Sequence, residues 1–247
     1  MNALPRAILF DLDGTILFEG RRRQMLQEIA ERYADHFRPF SPTEAADRLE
    51  AQFEDFWADG VRHRHWRQKP LEESRRHVAD QAFQALRAAG AAGLDTPLAH
   101  AFGDEFHAMR QALAGPFPDA VETLVEIRRR GVAMALVTNG SGVTQRQKIA
   151  RFALAAHFDH IQIEGEHGFG KPEARAYHHA LAALGVAAHE TWMVGDNLEW
   201  EVAAPQALGI KGVWLDAFDD GLPPGSAVVP DRIIRTLSEL LAPTPAR

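Results

Sequence analysis

The chain has 247 residues, 46% of them hydrophobic and 25% charged, which gives room for one large domain or two modest ones. It has no cysteine, which excludes disulfides, thiolate catalysis and Cys-ligated zinc, and its formal net charge of −7 argues against a general nucleic-acid binder. The N-terminal apolar run is too short for a secretory signal, and no uncharged stretch approaches the roughly 18 residues of a membrane span, so a cytoplasmic protein with no membrane partner is expected.

Residues 6–11 read as a short strand whose middle, Ala7 to Phe10, is continuously apolar, the signature of a strand buried on both faces of a parallel sheet. From Arg21 to about Arg110 the pattern turns helical, in the segments RRRQMLQEIAERYADHF, PTEAADRLEAQFEDFW, LEESRRHVADQAFQALRAAG and PLAHAFGDEFHAMRQAL. Pro42 and Pro97 stand where proline is tolerated, just inside helix starts. No strand interrupts these helices.

After GPFP at 115–118 strands and helices alternate. An amphipathic helix closed by Gly131 precedes the strand VAMALVTNG; the helix VTQRQKIARFALAAHF leads to the strand HIQIEG and a helix from Pro172 to Leu184. The strand TWMVGD, a helix over 199–208 and the strand KGVWLD follow, then a surface loop GLPPGSAVVP and a frayed tail PTPAR. Alternation of this kind predicts an α/β fold with a doubly wound parallel sheet. The expected organisation is a Rossmann-like core of residues 1–17 and 113–247, with an all-α insert at 18–112.

Open α/β sheets place their sites beyond the carboxyl ends of the strands. The first strand ends in Asp11-Leu12-Asp13-Gly14-Thr15, where residues two apart face one cavity. The next candidate strand ends in Thr138-Asn139-Gly140, a hydroxyl, an amide and a backbone donor suited to phosphate oxygens. Lys171 stands at a helix start, where backbone N–H groups attract anions. A further strand ends in Gly195-Asp196, with Glu199 and Glu201 beyond. Together these offer hard oxygen ligands for Mg²⁺ and donors for a phosphate.

FDLDGT, a strand ending in T-N-G, then G-K-P and V-G-D-N with a downstream acid, resembles the haloacid dehalogenase superfamily of hydrolases, with all four motifs in the family's order over residues 8–201. The helical insert resembles that family's C1-type cap. The resemblance implies a Mg²⁺-dependent phosphatase working through an aspartyl phosphate on a small anionic phosphorylated metabolite, as a monomer or homodimer. It assigns Asp11 as nucleophile and Asp13 as general acid and base. Thr138, Asn139, Gly140 and Lys171 are assigned to the phosphate; Asp11, the Asp13 carbonyl, Asp196 and the acid at Glu201 to the metal, with Glu199 a rival for Glu201. Family spacing favours Glu201, expected to accept hydrogen bonds from metal-bound water. A phosphomutase of the β-phosphoglucomutase type also keeps both aspartates. Haloacid dehalogenases and phosphonatases lack the second, and a non-catalytic relative would have lost a motif residue.

Other features carry simpler readings. Arg128, Arg129 and Arg130 close a helix, Arg21 to Arg23 form a solvated face, and His178 and His179 are read as surface. Between Val61 and His77, six Lys and Arg oppose two Glu, a basic stretch with His63 and His65. It is either an ordinary charged surface or a patch that steers anions toward the site. Trp57 and Trp66 are read as core of the insert. The insert is expected to open and close over the site through its connections near Phe18 and Ala112.

Overall fold

The computed structural model describes residues 4–59, 62, 65, 66 and 69–242. Val61, His63, Arg64 and Arg67 of the basic stretch, and the tail at 243–247, lie outside these. The chain divides into two compact units, Met1–Phe18 with Gly115–Arg247 and Glu19–Ala114. The breaks fall one and two residues later than the sequence boundaries. The reason is a short antiparallel ribbon of β2 (Leu17–Phe18) and β3 (Gly115–Pro116), which ties both connections to the α/β unit.

The α/β unit is built on a six-stranded parallel sheet. Its strands are β1 (Ala7–Phe10), β4 (Ala133–Thr138), β5 (His160–Ile163), β6 (Thr191–Gly195), β7 (Lys211–Leu215) and β8 (Arg232–Ile234), in the order β5-β4-β1-β6-β7-β8. β1 lies in the middle, in register with β4 at Phe10↔Leu136 and with β6 at Phe10↔Val194. Alternation along a strand sends successive side chains to opposite faces. Ile8 and Phe10 therefore join one core with Leu136 and Val194, while Leu9 joins another with Ala135, Met193 and Tyr177. β8 was not anticipated, since three residues carry too little periodicity to read.

Two expected helices are modified. The helix after β4 runs only over Gly142–Arg151, stops at Ala153 in a left-handed conformation (φ 52°), and resumes as a 3₁₀ turn at Leu154–His157. The helix expected over 199–208 is a π-type segment, Leu198–Ala203, followed by Ala204–Gln206. Such widened turns are frequent at functional sites.

The Glu19–Ala114 unit is helical, with helices Arg22–Arg32, Ala34–Phe37, Pro42–Ala58, Leu71–Ala88 and Thr96–Leu113. Ser41 caps the third through a reciprocal bond with Glu44, with Pro42 just inside, and Asp95 caps the last. Its core is rich in phenylalanine, including Phe37, Phe53, Phe56, Phe83, Phe102 and Phe106, and Trp57 and Trp66 pack against it. Arg75 is 5% exposed and contacts Glu19, and Arg76 is paired with Asp104. These two positive charges of the basic stretch are thus engaged within the unit instead of forming a free patch. Among the described residues no helix is long and apolar enough to cross a membrane.

Candidate active site

Beyond the carboxyl ends of β1, β4 and β6 lies a cavity of about 210 Å³ lined by Asp11, Asp13, Thr138, Asn139, Asp196, Asn197, Trp200 and Glu201. The Asp11 amide donates to Val194 O at 3.0 Å, so the ladder between β1 and β6 holds this residue too. The chain then turns sharply, with Gly14 N–H donating to Leu17 O at 2.7 Å and Gly14 at φ 85°. A Cβ on Gly14 would overlap the Asp196 carboxylate, which shows how closely the backbone after Asp13 approaches that side chain.

Asp11 is 7% exposed, accepts from Thr15 Oγ1 at 3.2 Å, and pairs through Oδ1 with Lys171 Nζ at 2.5 Å. The same ammonium reaches Glu201 Oε1 at 2.7 Å. Burial raises the Asp11 pKa against the opposing pull of Lys171, and raises Glu201 to about 7. Burial alone would lower Lys171, but the charges of Asp11 and Glu201 outweigh it and push it up. Asp196 is pushed well up, first by the protein packed round it and then by Asp11 and Glu201.

Asp13 has separate partners, Lys148 Nζ at 2.7 Å and Gln145 Nε2 at 2.8 Å. Gln145 also donates to Thr138 Oγ1 at 2.6 Å and Asn139 O at 2.9 Å. Ser141 caps the helix Gly142–Arg151, and the spacing of three puts Gln145 and Lys148 on one helical face, facing Asp13. Sequence reasoning missed both residues. The available signal was their burial phase: they share the inward stripe with Ile149, where apolar residues are the rule.

Three of the expected site residues also have partners within the α/β unit. The Asn139 amide is committed to both main-chain groups of Lys171, at 2.9 and 2.7 Å, so it positions the lysine. The Gly140 N–H donates to Glu164 Oε2 at 3.0 Å, a partner that sequence reasoning also missed. Glu201, 1% exposed, spends one oxygen on Lys171 and the other on the Asn197 N–H at 2.8 Å, so its observed task is to hold the lysine and the turn after β6. Glu199 is exposed and does not line the cavity. His178 is exposed as expected, but His179 packs against His160 and His167, at ring distances of 5.3 and 4.9 Å.

The donors suit a hard cation. Among the described residues of this unit, four carboxylates (Asp11, Asp13, Asp196, Glu201) face two ammonium groups, Lys171 and Lys148. The carboxyl groups outnumber the ammonium groups, and every candidate ligand is an oxygen.

A parallel doubly wound sheet with paired aspartates beyond its first strand defines an α/β protein whose candidate site lies at the carboxyl ends of its strands. The profile of the haloacid dehalogenase-like hydrolases matches residues 5–209, and the chain belongs to that family. It is similar to the phosphoserine phosphatase of Thermus thermophilus, at 46% identity over 100 residues covering 40% of each chain. It is also similar to the glyceraldehyde 3-phosphate phosphatase of Methanopyrus kandleri, at 26% identity over 96% of this chain and 95% of that one. The chain spans about half the length of the first curated relatives it matches. A magnesium-bound HAD-hydrolase of Bacillus subtilis, 21% identical, shares the fold with a TM-score of 0.66 over 97% of this chain and 98% of that one.

Proposed function

We propose that the protein is a Mg²⁺-dependent phosphatase of small phosphomonoesters, with the α/β unit as catalytic core and the helical unit as its cap. The observation that carries this reading is the pair Asp11 and Asp13. They leave one strand end two residues apart and line one cavity, yet answer to different cations, Lys171 and Lys148. Two carboxyl groups in distinct surroundings suit two distinct roles.

In this reading an Asp11 oxygen attacks phosphorus as the ester P–O bond breaks, and Asp13 gives its proton to the departing alkoxide. Water then attacks the phosphorus of the aspartyl phosphate and Asp13 takes a proton from it. The bond to Asp11 breaks, inorganic phosphate leaves, and both carboxyl groups are restored. Lys171 orients Asp11 and meets the phosphoryl oxygens, joined by the Thr138 hydroxyl, where stabilisation counts most for this reaction. Asp11, Asp196 and the Asp13 carbonyl would hold Mg²⁺, whose charge offsets the surplus carboxylates and the phosphoryl group. The phosphatase names of the relatives, and the retention of Asp13, favour hydrolysis of a phosphomonoester over dehalogenation.

A panel of small phosphomonoesters assayed with Mg²⁺ tests the reading. Release of phosphate is expected, and Asp11→Asn should lower it on the order of 10⁴-fold while circular dichroism stays unchanged. A fully active Asp11→Asn protein, or a beryllium fluoride adduct on another residue, would overturn it. Asp13→Asn should suffer less with p-nitrophenyl phosphate, whose leaving group needs no proton, than with an alkyl phosphate.

A further inference from the structure

Three histidines from three successive elements meet on the β5 side of the α/β unit. His160 opens β5, His167 ends the single helical turn Glu164–His167, and His179 sits in the helix Ala174–Leu184. One ring nitrogen from each lies within 4.8 Å of the other two. His160 and His167 are half-buried, and Phe169 closes on the rings of His167 and His179 at 5.7 and 5.6 Å.

The hydrogen bonds around the cluster set which nitrogen is available. His167 Nδ1 faces Ile163 O at 3.1 Å, and a carbonyl can only accept, so Nδ1 carries the proton and Nε2 keeps its lone pair. Gln162 Nε2 donates to Ala176 O at 2.9 Å, which turns Gln162 Oε1 toward His179 Nδ1 at 2.7 Å. That fixes the same tautomer on His179. His160 Nε2 is buried and has no hydrogen-bond partner. Metal-binding histidines hold this arrangement: the ring N–H donates to a carbonyl, which fixes tautomer and orientation while the other nitrogen binds.

From these contacts we propose that His160, His167 and His179 form a binding site for a nitrogen-seeking divalent cation of the Zn²⁺ class, separate from the carboxylate cavity. The donors are all imidazoles, which suit Zn²⁺, Cu²⁺ and Ni²⁺ and do not suit Mg²⁺ or Ca²⁺. Tetrahedral zinc needs ligand nitrogens about 3.3 Å apart, given Zn–N of about 2.0 Å, so nitrogens now within 4.8 Å of one another must draw closer on binding. Three protein ligands leave one coordination position for water or a small anion. Arg175, whose guanidinium lies 4.2 Å from the centre of the Phe169 ring, adds a positive charge nearby. That charge favours an anionic fourth ligand. The inference stands apart from the phosphatase reading, because it uses no residue of that site.

The test is titration of the full-length protein with ZnCl₂ in buffer holding saturating Mg²⁺, read by calorimetry and by Tm, with Co²⁺ as a spectroscopic probe. One Zn²⁺ per chain is expected, with a rise in Tm and the visible absorption of a tetrahedral Co²⁺ site. His167→Gln and His179→Gln should each weaken binding at least about tenfold, as loss of one of three ligands requires, while His178→Gln, one residue away and exposed, binds as the parent does. Circular dichroism of the variants before metal is added separates lost binding from lost fold. Absence of a zinc site beside bound Mg²⁺ overturns the proposal, as does unchanged zinc affinity in folded His167→Gln and His179→Gln proteins. Loss of phosphatase activity in the Asp11→Asn protein with zinc binding intact would leave both proposals standing.

Discussion

Glu19 in the helical unit and Asp11 in the α/β unit are both carboxylates 7% exposed, yet their surroundings have opposite charge balance. Glu19 meets two guanidiniums: Arg110 donates at 3.1 and 2.6 Å, and Arg75 approaches to 3.9 Å. Around Asp11 a single ammonium, Lys171, is divided between Asp11 and Glu201, whose charges in turn push the Asp196 carboxyl up. Burying an ion costs several kcal/mol unless the geometry of its partners compensates. A cluster that supplies its own counter-charge is a structural fastening. A cluster short of counter-charge is held together by the rest of the fold for the sake of what it binds.

The comparison breaks most sharply at Lys171. Lys171→Met should lower turnover on the order of 10²–10³-fold by removing charge from the phosphoryl site. It should also destabilise the metal-free protein by about 3–5 kcal/mol at neutral pH, because two buried carboxylates lose their shared partner. Both carboxyl groups are already pushed up by burial, so without the lysine they protonate more readily, and the destabilisation should shrink as pH falls. Urea unfolding with a chelator at about pH 5 and 8 measures this; a loss independent of pH would mean the damage is one of packing.

Glu201 tests the same shortage through its titration. Its folded pKa of about 7 lies above the usual 4.5. The stability tied to its neutral form is therefore fully present below about 4.5 and lost as pH rises through about 7. Glu201→Gln cannot ionise, so relative to the parent the metal-free variant should gain roughly 3 kcal/mol between pH 4.5 and 8. A parallel pH profile in the two proteins would assign the slope to another group.

Glu19→Gln probes the other side of the comparison. The amide keeps the shape but withdraws the charge from Arg110 and Arg75, and a cost of about 1.5–3 kcal/mol is expected, the range for hydrogen bonds to charged groups. The Mg²⁺ dependence proposed for the α/β unit should be the same in this variant as in the parent. A shifted Mg²⁺ dependence would show that this cluster is not merely structural.

Legibility in the sequence follows the same division. The strand ends at Asp11, Thr138 and Asp196 could be read because a two-residue period and a following turn are local signals, and sheet topology supplies the convergence. Gln145 and Lys148 could not, because their meeting with Asp13 depends on how one helix rotates over the sheet. Asn139 was legible as a site residue but not as the brace of Lys171, since that needs the distance between two loops. His160, His167 and His179 come from three elements, and no spacing rule joins them.

The smallest expected effect is at Glu199, two residues from Glu201 and on the same π-type segment. Both acids fall in its first turn, where a negative charge favours the exposed N–H groups by about 0.3–1 kcal/mol. There the likeness ends. Glu201 is sealed against Lys171, whereas the Glu199 side chain is exposed, and it is its main-chain N–H that Asn197 Oδ1 caps at 3.0 Å. Glu199→Gln keeps that cap, so stability should change by no more than about 0.5 kcal/mol and the Mg²⁺ concentration for half-maximal rate by about twofold or less. Glu201→Gln, by loosening the lysine that holds Asp11, should raise that concentration about tenfold or more. Should Glu199→Gln prove the more damaging to Mg²⁺ dependence, the supporting acid is Glu199, and the surplus negative charge of the site must be counted with it.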